Sequence, residues 1–254
     1  MSTQIPDPHD PASASDILMP PRWGENKCEL STFCTGLRHS SLAETTRVTS
    51  LRRYAAMGKI KHRFLLLEAI REGIRLCIRL DRYPGGQGNQ KLLASTYSPA
   101  DDSVRLSMIE EALVQKGDNR EAVIDFDDPV PLNRFGRVFD VVRNESMFYT
   151  ITKKNCWFFS SVIQELSILF FGGRFNQGAV LNHPELNKRC RKLIKNKLYD
   201  VLHVSTSIRD LESLVLAMHE KSLVGPVLRL LRIMKAQDRL LYCSSLSDSV
   251  AMQG

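Results

Sequence analysis

Apolar and polar positions change period along this chain, and the change divides it into a strand-rich part followed by a helical part. His62-Arg-Phe-Leu-Leu-Leu-Glu-Ala-Ile70 is a nearly continuous apolar run of strand length, and Arg71-Glu72-Gly73 is its turn. Leu76 to Arg82 returns with strict alternation at Ile78, Arg79, Leu80 and Asp81, so the two runs predict an antiparallel hairpin. Ordered structure is expected to begin near Val48 to Tyr54. A short helix is expected over Ser107 to Gln115 and a short strand over Ala122 to Phe126.

The helical period then takes over. Phe135, Val138, Phe139 and Val142 share one face over Asn133 to Arg143. A second helix is expected to open at Cys156 and to stop at Gly172-Gly173, a natural C-terminal cap. From about 185 to 242 three apolar stripes follow: Leu193/Ile194/Leu198, Leu211/Leu214/Val215/Met218 and Val227/Leu230/Leu231/Ile233/Met234. Pro184 starts the first and Gly225-Pro226 separates the last two. The fold class is α+β: a small antiparallel sheet packed on a cysteine-bearing helix, with a mostly helical C-terminal part. The expected divisions are a disordered tail over 1–45, an α+β domain over 46–175 and a helical extension over 176–254.

Composition narrows the setting. The chain has 254 residues, 43% hydrophobic and 25% charged, which is ordinary for a globular protein with a full core. Met1 to Pro21 is rich in Pro, Ser and Asp and holds no apolar run that resembles a secretory signal. The longest apolar stretch, Trp157 to Phe171, is broken by Ser160, Ser161, Gln164, Glu165 and Ser167. Spanning a bilayer takes roughly 20 apolar residues, so this stretch reads as a core helix. The six cysteines are therefore expected to be reduced thiols in a cytosolic or nuclear setting. Cys28 and Cys34 lack the paired spacing of a zinc site, and no metal or cofactor is expected. The loop Pro84-Gly-Gly-Gln-Gly-Asn-Gln90 is followed by Lys91-Leu92, not the Lys-Ser/Thr of a phosphate loop.

Candidate chemistry centres on Cys156. A helix N-terminus carries partial positive charge and unpaired N–H groups, and these favour the thiolate, the reactive form of cysteine. A thiol nucleophile also needs a base and a group that fixes the base's tautomer. Of the six histidines, His62 alone sits at a strand edge inside the expected core. Across the hairpin it falls opposite the neighbourhood of Asp81 to Tyr83, which makes Asp81 the natural orienter. The alternatives are an inert, buried Cys156, a solvated His62, and an Asp81 paired with Arg79 or Arg63.

The segment Tyr149-Thr-Ile-Thr-Lys-Lys-Asn155-Cys156-Trp157-Phe158-Phe159, preceded by a strand histidine, resembles the permuted papain-like cysteine proteins. The lecithin:retinol acyltransferase-like branch, with its Asn-Cys-Glu-His-Phe signature, is the nearest in pattern. The matching positions are Tyr149, Ile151, Asn155, Cys156 and Phe159, with His62 as the strand histidine and Asp81 as the third member. Trp157-Phe158 replaces the signature's Glu-His. The combination is also similar to uncharacterised fungal proteins, and the resemblance covers roughly residues 55 to 172. It implies a permuted papain-like fold and a hydrolase or acyltransferase that works on an ester or amide through a Cys156 thioester, with Asn155 and Tyr149 as supporting residues. The missing Glu-His fits an inactive relative that serves as a protein- or membrane-binding module.

Net charge is +7, and one cluster stands out. Lys188, Arg189, Arg191, Lys192, Lys195 and Lys197 place six cations in ten residues with no acid among them. Such a patch suits an anionic membrane surface or the phosphates of a nucleic acid; the bland reading is a solvated helix face. No aromatic interleaving or nucleic-acid motif accompanies it, so nucleic acid is the weakest of these partners.

Overall fold

The computed structural model describes residues 18–20, 24–58, 62–85, 98–149, 155–179 and 188–217. The fold is α+β and is built on an antiparallel sheet. The chain enters through β1 (Asn26–Glu29), α1 (Leu30–His39) and α2 (Ser41–Thr45). A meander follows: β2 (Arg47–Ala55), β3 (Arg63–Arg71), β4 (Ile74–Pro84) and β5 (Ser98–Ser107). Next come a 3₁₀ turn at Glu110–Ala112, β6 (Asn119–Pro131) and α3 (Leu132–Glu145). The short β7 (Phe148–Tyr149), α4 (Cys156–Phe171), β8 (Arg174–Gln177) and α5 (Lys188–Ala217) complete it. The strand order is β1-β5-β4-β3-β2-β6-β8, and β7 pairs with β5.

The β3–β4 hairpin closes on Glu72 and Gly73, whose φ values of 50° and 79° are the positive pair that a type I′ turn requires. Leu65 lies opposite Leu80 and Leu67 opposite Ile78, so these leucines and Ile78 share one face. Arg53, opposite Leu65, reaches Gln164 of α4 from that face, and Arg82 lies over the Phe159 ring at 4.5 Å. Helices therefore cover this side of the sheet. The other side carries a second apolar cluster of Tyr54, Phe64, Leu66 and Cys77, capped by Leu113 beside the 3₁₀ turn. Burial on both faces explains why β3 reads as a continuous apolar run.

Several expectations need correction. Residues 26–45 are not part of a disordered tail: they form β1, α1 and α2, with Leu30, Phe33, Cys34 and Leu37 buried at helical spacing. Residues 1–17 lie outside the described residues. The sheet is not small, because β1, β5 and β8 extend it. Ser107 to Gln115 is not a helix: Ser107 ends β5, and only Glu110–Ala112 turns as 3₁₀. The short strand at Ala122 to Phe126 is the centre of the much longer β6.

The division at 176 also moves, since the chain divides into compact units at Met1–Arg191 and Lys192–Gly254. Helix α5 runs without a break from Lys188 to Ala217, across Leu193/Ile194/Leu198 and Leu211/Leu214/Val215; Pro184, Met218 and the third stripe lie outside the described residues. Among the described residues no helix is long and apolar enough to cross a membrane.

Candidate active site

Helix α4 begins at Cys156 because Asn155 is its N-cap: the Asn155 side-chain oxygen accepts from the N–H groups of Trp157 and Phe158, each at 3.1 Å. The cap leaves Cys156 at the first helical position, where the helix dipole is strongest. At the other end, Gly172 closes the helix in the left-handed conformation, φ 68°. Cys156 is 7% exposed and sits beside the start of β3.

His62 precedes β3, and the hairpin register carried outward from Leu65–Leu80 brings it opposite Tyr83. The two rings stack there, with centroids 4.2 Å apart and planes 16° from parallel. Asp81 lies two residues earlier on the same face of β4, and its Oδ1 is 3.0 Å from His62 Nε2. That bond commits Nε2 and leaves Nδ1 for another partner; the Cys156 thiol lies close enough for the two side chains to shift each other's titration. Cys156, His62 and Asp81 thus form a chain of neighbours, with His62 hydrogen-bonded to Asp81 and adjoining the Cys156 thiol. Asp81 is 2% exposed and holds three further partners, among them Arg105 at 3.7 Å. Arg79 donates to both carboxylate oxygens, at 2.7 and 2.8 Å, and the Tyr83 hydroxyl lies 3.4 Å from Oδ1. Arg79 also donates to the Leu113 carbonyl and lies 3.5 Å over the Phe64 ring. The sequence alternatives for Asp81, His62 or Arg79, are both realised at once; Arg63 turns elsewhere.

Burial opposes charge at every member of this chain, and local bonds reverse the effect. Burial would raise the Asp81 carboxyl, but hydrogen bonds from His62 and Arg79 hold it at about 2. Burial would lower the His62 imidazolium, yet its bond to Asp81 and the nearby Cys156 thiol move it above the ordinary value. Burial would raise the Cys156 thiol, but nearby His62, the backbone of Arg63 and the charges of both residues bring it below the ordinary value. A depressed thiol beside an elevated imidazole favours a thiolate–imidazolium pair. By contrast, burial pushes Cys28 and Cys77 up to about 11 and raises Cys34 as well.

Arg63 is a further part of the surroundings that the sequence did not single out for this role. Its guanidinium lies 3.4 Å over the Trp157 ring and forms paired 2.8 Å bonds with Glu121, which also receives Arg53. Trp157, the residue that departs from the Glu-His pattern, is thus packed on the strand that carries the base. The signals that could have found these residues were the strand register, for Tyr83, and the alternation of β4, for Arg79.

The other candidates lie outside this chain. Asn155 acts as a cap. Tyr149 pairs through its backbone with Ser98. Lys188, Arg189, Lys192, Lys195 and Lys197 lie on α5 with Arg191. Arg191 is committed to α4, donating to Ser161 Oγ at 2.7 Å, pairing with Glu165 and lying over the Phe158 ring. Among the described residues no three His, Cys, Asp or Glu side chains gather as metal ligands. Comparison of the chain with family models, with curated proteins and with solved structures gave no match.

Proposed function

We propose that this chain is a thiol-dependent hydrolase or acyltransferase of permuted papain-like arrangement that acts on an ester or amide through a thioester on Cys156. The observation that carries the reading is the His62–Asp81 hydrogen bond set beside the Cys156 thiol at a helix N-terminus. His62 takes the thiol proton on Nδ1 while Asp81 accepts from Nε2–H and fixes the tautomer. The thiolate sulfur attacks the carbonyl carbon to give a tetrahedral oxyanion, towards which the backbone N–H of Cys156 is the available donor. Collapse breaks the carbon–oxygen or carbon–nitrogen bond, and the leaving alcohol or amine departs with the proton from His62. Water or an acceptor hydroxyl or amine then gives its proton to His62 and attacks the thioester, which frees the acyl product and the thiolate.

Both lipid acyl chains and peptide or isopeptide bonds fit this chemistry. The cations of α5 favour a substrate presented at an anionic surface, because clustered lysines gain affinity from each anionic lipid nearby. The test is incubation with a panel of acyl esters and peptide amides, followed by intact-mass analysis. The expected result is a Cys156-linked acyl adduct with turnover, both absent in Cys156→Ala. Equal turnover by Cys156→Ala would overturn the proposal.

A second reading is favoured by one observation, the 7% exposure of Cys156. In that reading the fold is kept as a binding module and the thiolate is sealed from substrates. A folded protein whose Cys156 resists iodoacetamide at every pH would select it.

A further inference from the structure

Tyr83 meets His62 more fully than the proposed chemistry requires of a neighbour. It stands opposite His62 in the hairpin register, and its ring covers the imidazole face at 4.2 Å with near-parallel planes. Its hydroxyl reaches the same Asp81 oxygen that His62 Nε2 uses, at 3.4 Å. His62 sits one residue ahead of β3, its backbone held by the Ala56 N–H, which donates to the His62 carbonyl at 2.8 Å, while its side chain lies beyond the strand's end. An imidazole at a strand end, tethered through one nitrogen, remains free to swing about that bond. A flat partner removes this freedom, because displacing the ring from the stack forfeits aromatic contact. Yet Tyr83 is 39% exposed, so it is not needed to fill the core.

We infer that Tyr83 is a positioning residue for His62: its ring pins the imidazole beside Cys156, and the ring, not the hydroxyl, carries the effect. The inference rests on the thiol-enzyme reading of Cys156 and His62 and adds to it the device that aims the base. The charged and titratable groups around the pair are Asp81 and Arg79 from β4, Arg105 from β5, and Arg63 from β3 with Glu121 of β6 behind it. None of them touches the open face of the imidazole as Tyr83 does, so removal of the ring leaves these charges in place. A loosened His62 stabilises the thiolate less, and the Cys156 pKa then moves back towards its ordinary value.

The experiment follows iodoacetamide modification of Cys156 against pH in the full chain, with the Cys156 peptide read by mass spectrometry. The proteins are wild type, Tyr83→Phe, Tyr83→Leu, Tyr83→Met and His62→Ala. Tyr83→Phe keeps the ring and is expected to match wild type within about twofold. Tyr83→Leu and Tyr83→Met are expected to shift the profile upward in pH. A one-unit shift would cost about tenfold in thiolate at neutral pH. Two aliphatic replacements guard against one that folds poorly, and unchanged circular dichroism melts establish that the fold is kept. Profiles for Leu and Met that coincide with wild type, while His62→Ala is slow, would overturn the role of Tyr83 and leave the Cys156–His62 reading intact. A His62→Ala profile equal to wild type would overturn that reading itself. A profile for Tyr83→Phe as shifted as that for Leu would assign the effect to the hydroxyl and contradict the inference.

Discussion

Asp81 is a buried carboxylate with four donors around it, and most of the site's order follows from that fact. A carboxylate this deep would be costly if unpaired; here Arg79 neutralises it in bidentate fashion and His62 takes an oxygen that Arg79 shares. Asp81→Asn leaves the Arg79 guanidinium buried without its counter-charge, and loss of one partner of such a pair costs about 3–5 kcal/mol. Urea denaturation at neutral pH is the check. The wild-type acid dependence has a definite sign. The carboxyl is held at about 2 in the folded chain against an ordinary 3.8, so its contribution is complete above pH 4 and is lost as pH falls towards 2. Roughly 2 kcal/mol is at stake, visible as a falling melting temperature between pH 4 and 2 in wild type and a flatter one in Asp81→Asn. His62 and Asp81 were legible in the sequence because a hairpin of known turn fixes which residues face each other. Arg79 was legible only as a rival to His62, since a linear pattern shows who can pair with Asp81 but not that two partners fit at once.

At the scale of the element, Asn155 decides where α4 begins and therefore where Cys156 stands. Asn155→Ala removes the acceptor for two helix N–H groups and is expected to cost about 1 kcal/mol, while Asn155→Asp is expected to stay near wild type. Thermal melts of the two variants make the comparison. This helix and the β3–β4 hairpin were readable because each carries its own start, period and stop. Strand β5 was not: Ser98-Pro-Ala-Asp-Asp-Ser lacks β-branched residues, and its polar positions are satisfied only by neighbours distant in sequence. Asp102 is held by Arg82 through bonds of 2.7 and 2.6 Å, with Arg82 completed by Ser146. Arg82→Met strands the buried Asp102 and is expected to destabilise the chain by about 3–5 kcal/mol, measurable in urea.

At the scale of the whole molecule, the N-terminal segment proves to be part of the fold and not an appendage. Leu37 of α1 approaches Gly136 of α3 so closely that a Cβ there would meet Leu37 Cδ1 at 2.8 Å, and Phe33 is fully buried. Phe33→Ala is expected to cost about 3–5 kcal/mol, a loss that a disordered tail would not feel. The segment escaped the sequence reading because the Pro, Ser and Thr around it hid a four-residue apolar stripe, a reminder that periodicity outranks composition. The division at Arg191 runs through the basic cluster itself: Lys188, Arg189 and Arg191 belong to the first unit, and Lys192, Lys195 and Lys197 to the second.

Activation of Cys156 by His62 is read from the pH dependence of Cys156 alkylation in wild type and in His62→Ala. Rapid modification well below the usual thiol pKa of about 8.5 is expected, with the profile displaced upward once His62 is removed. Slow modification with an ordinary profile, indifferent to His62, would contradict it and make Cys156 a structural residue of the core.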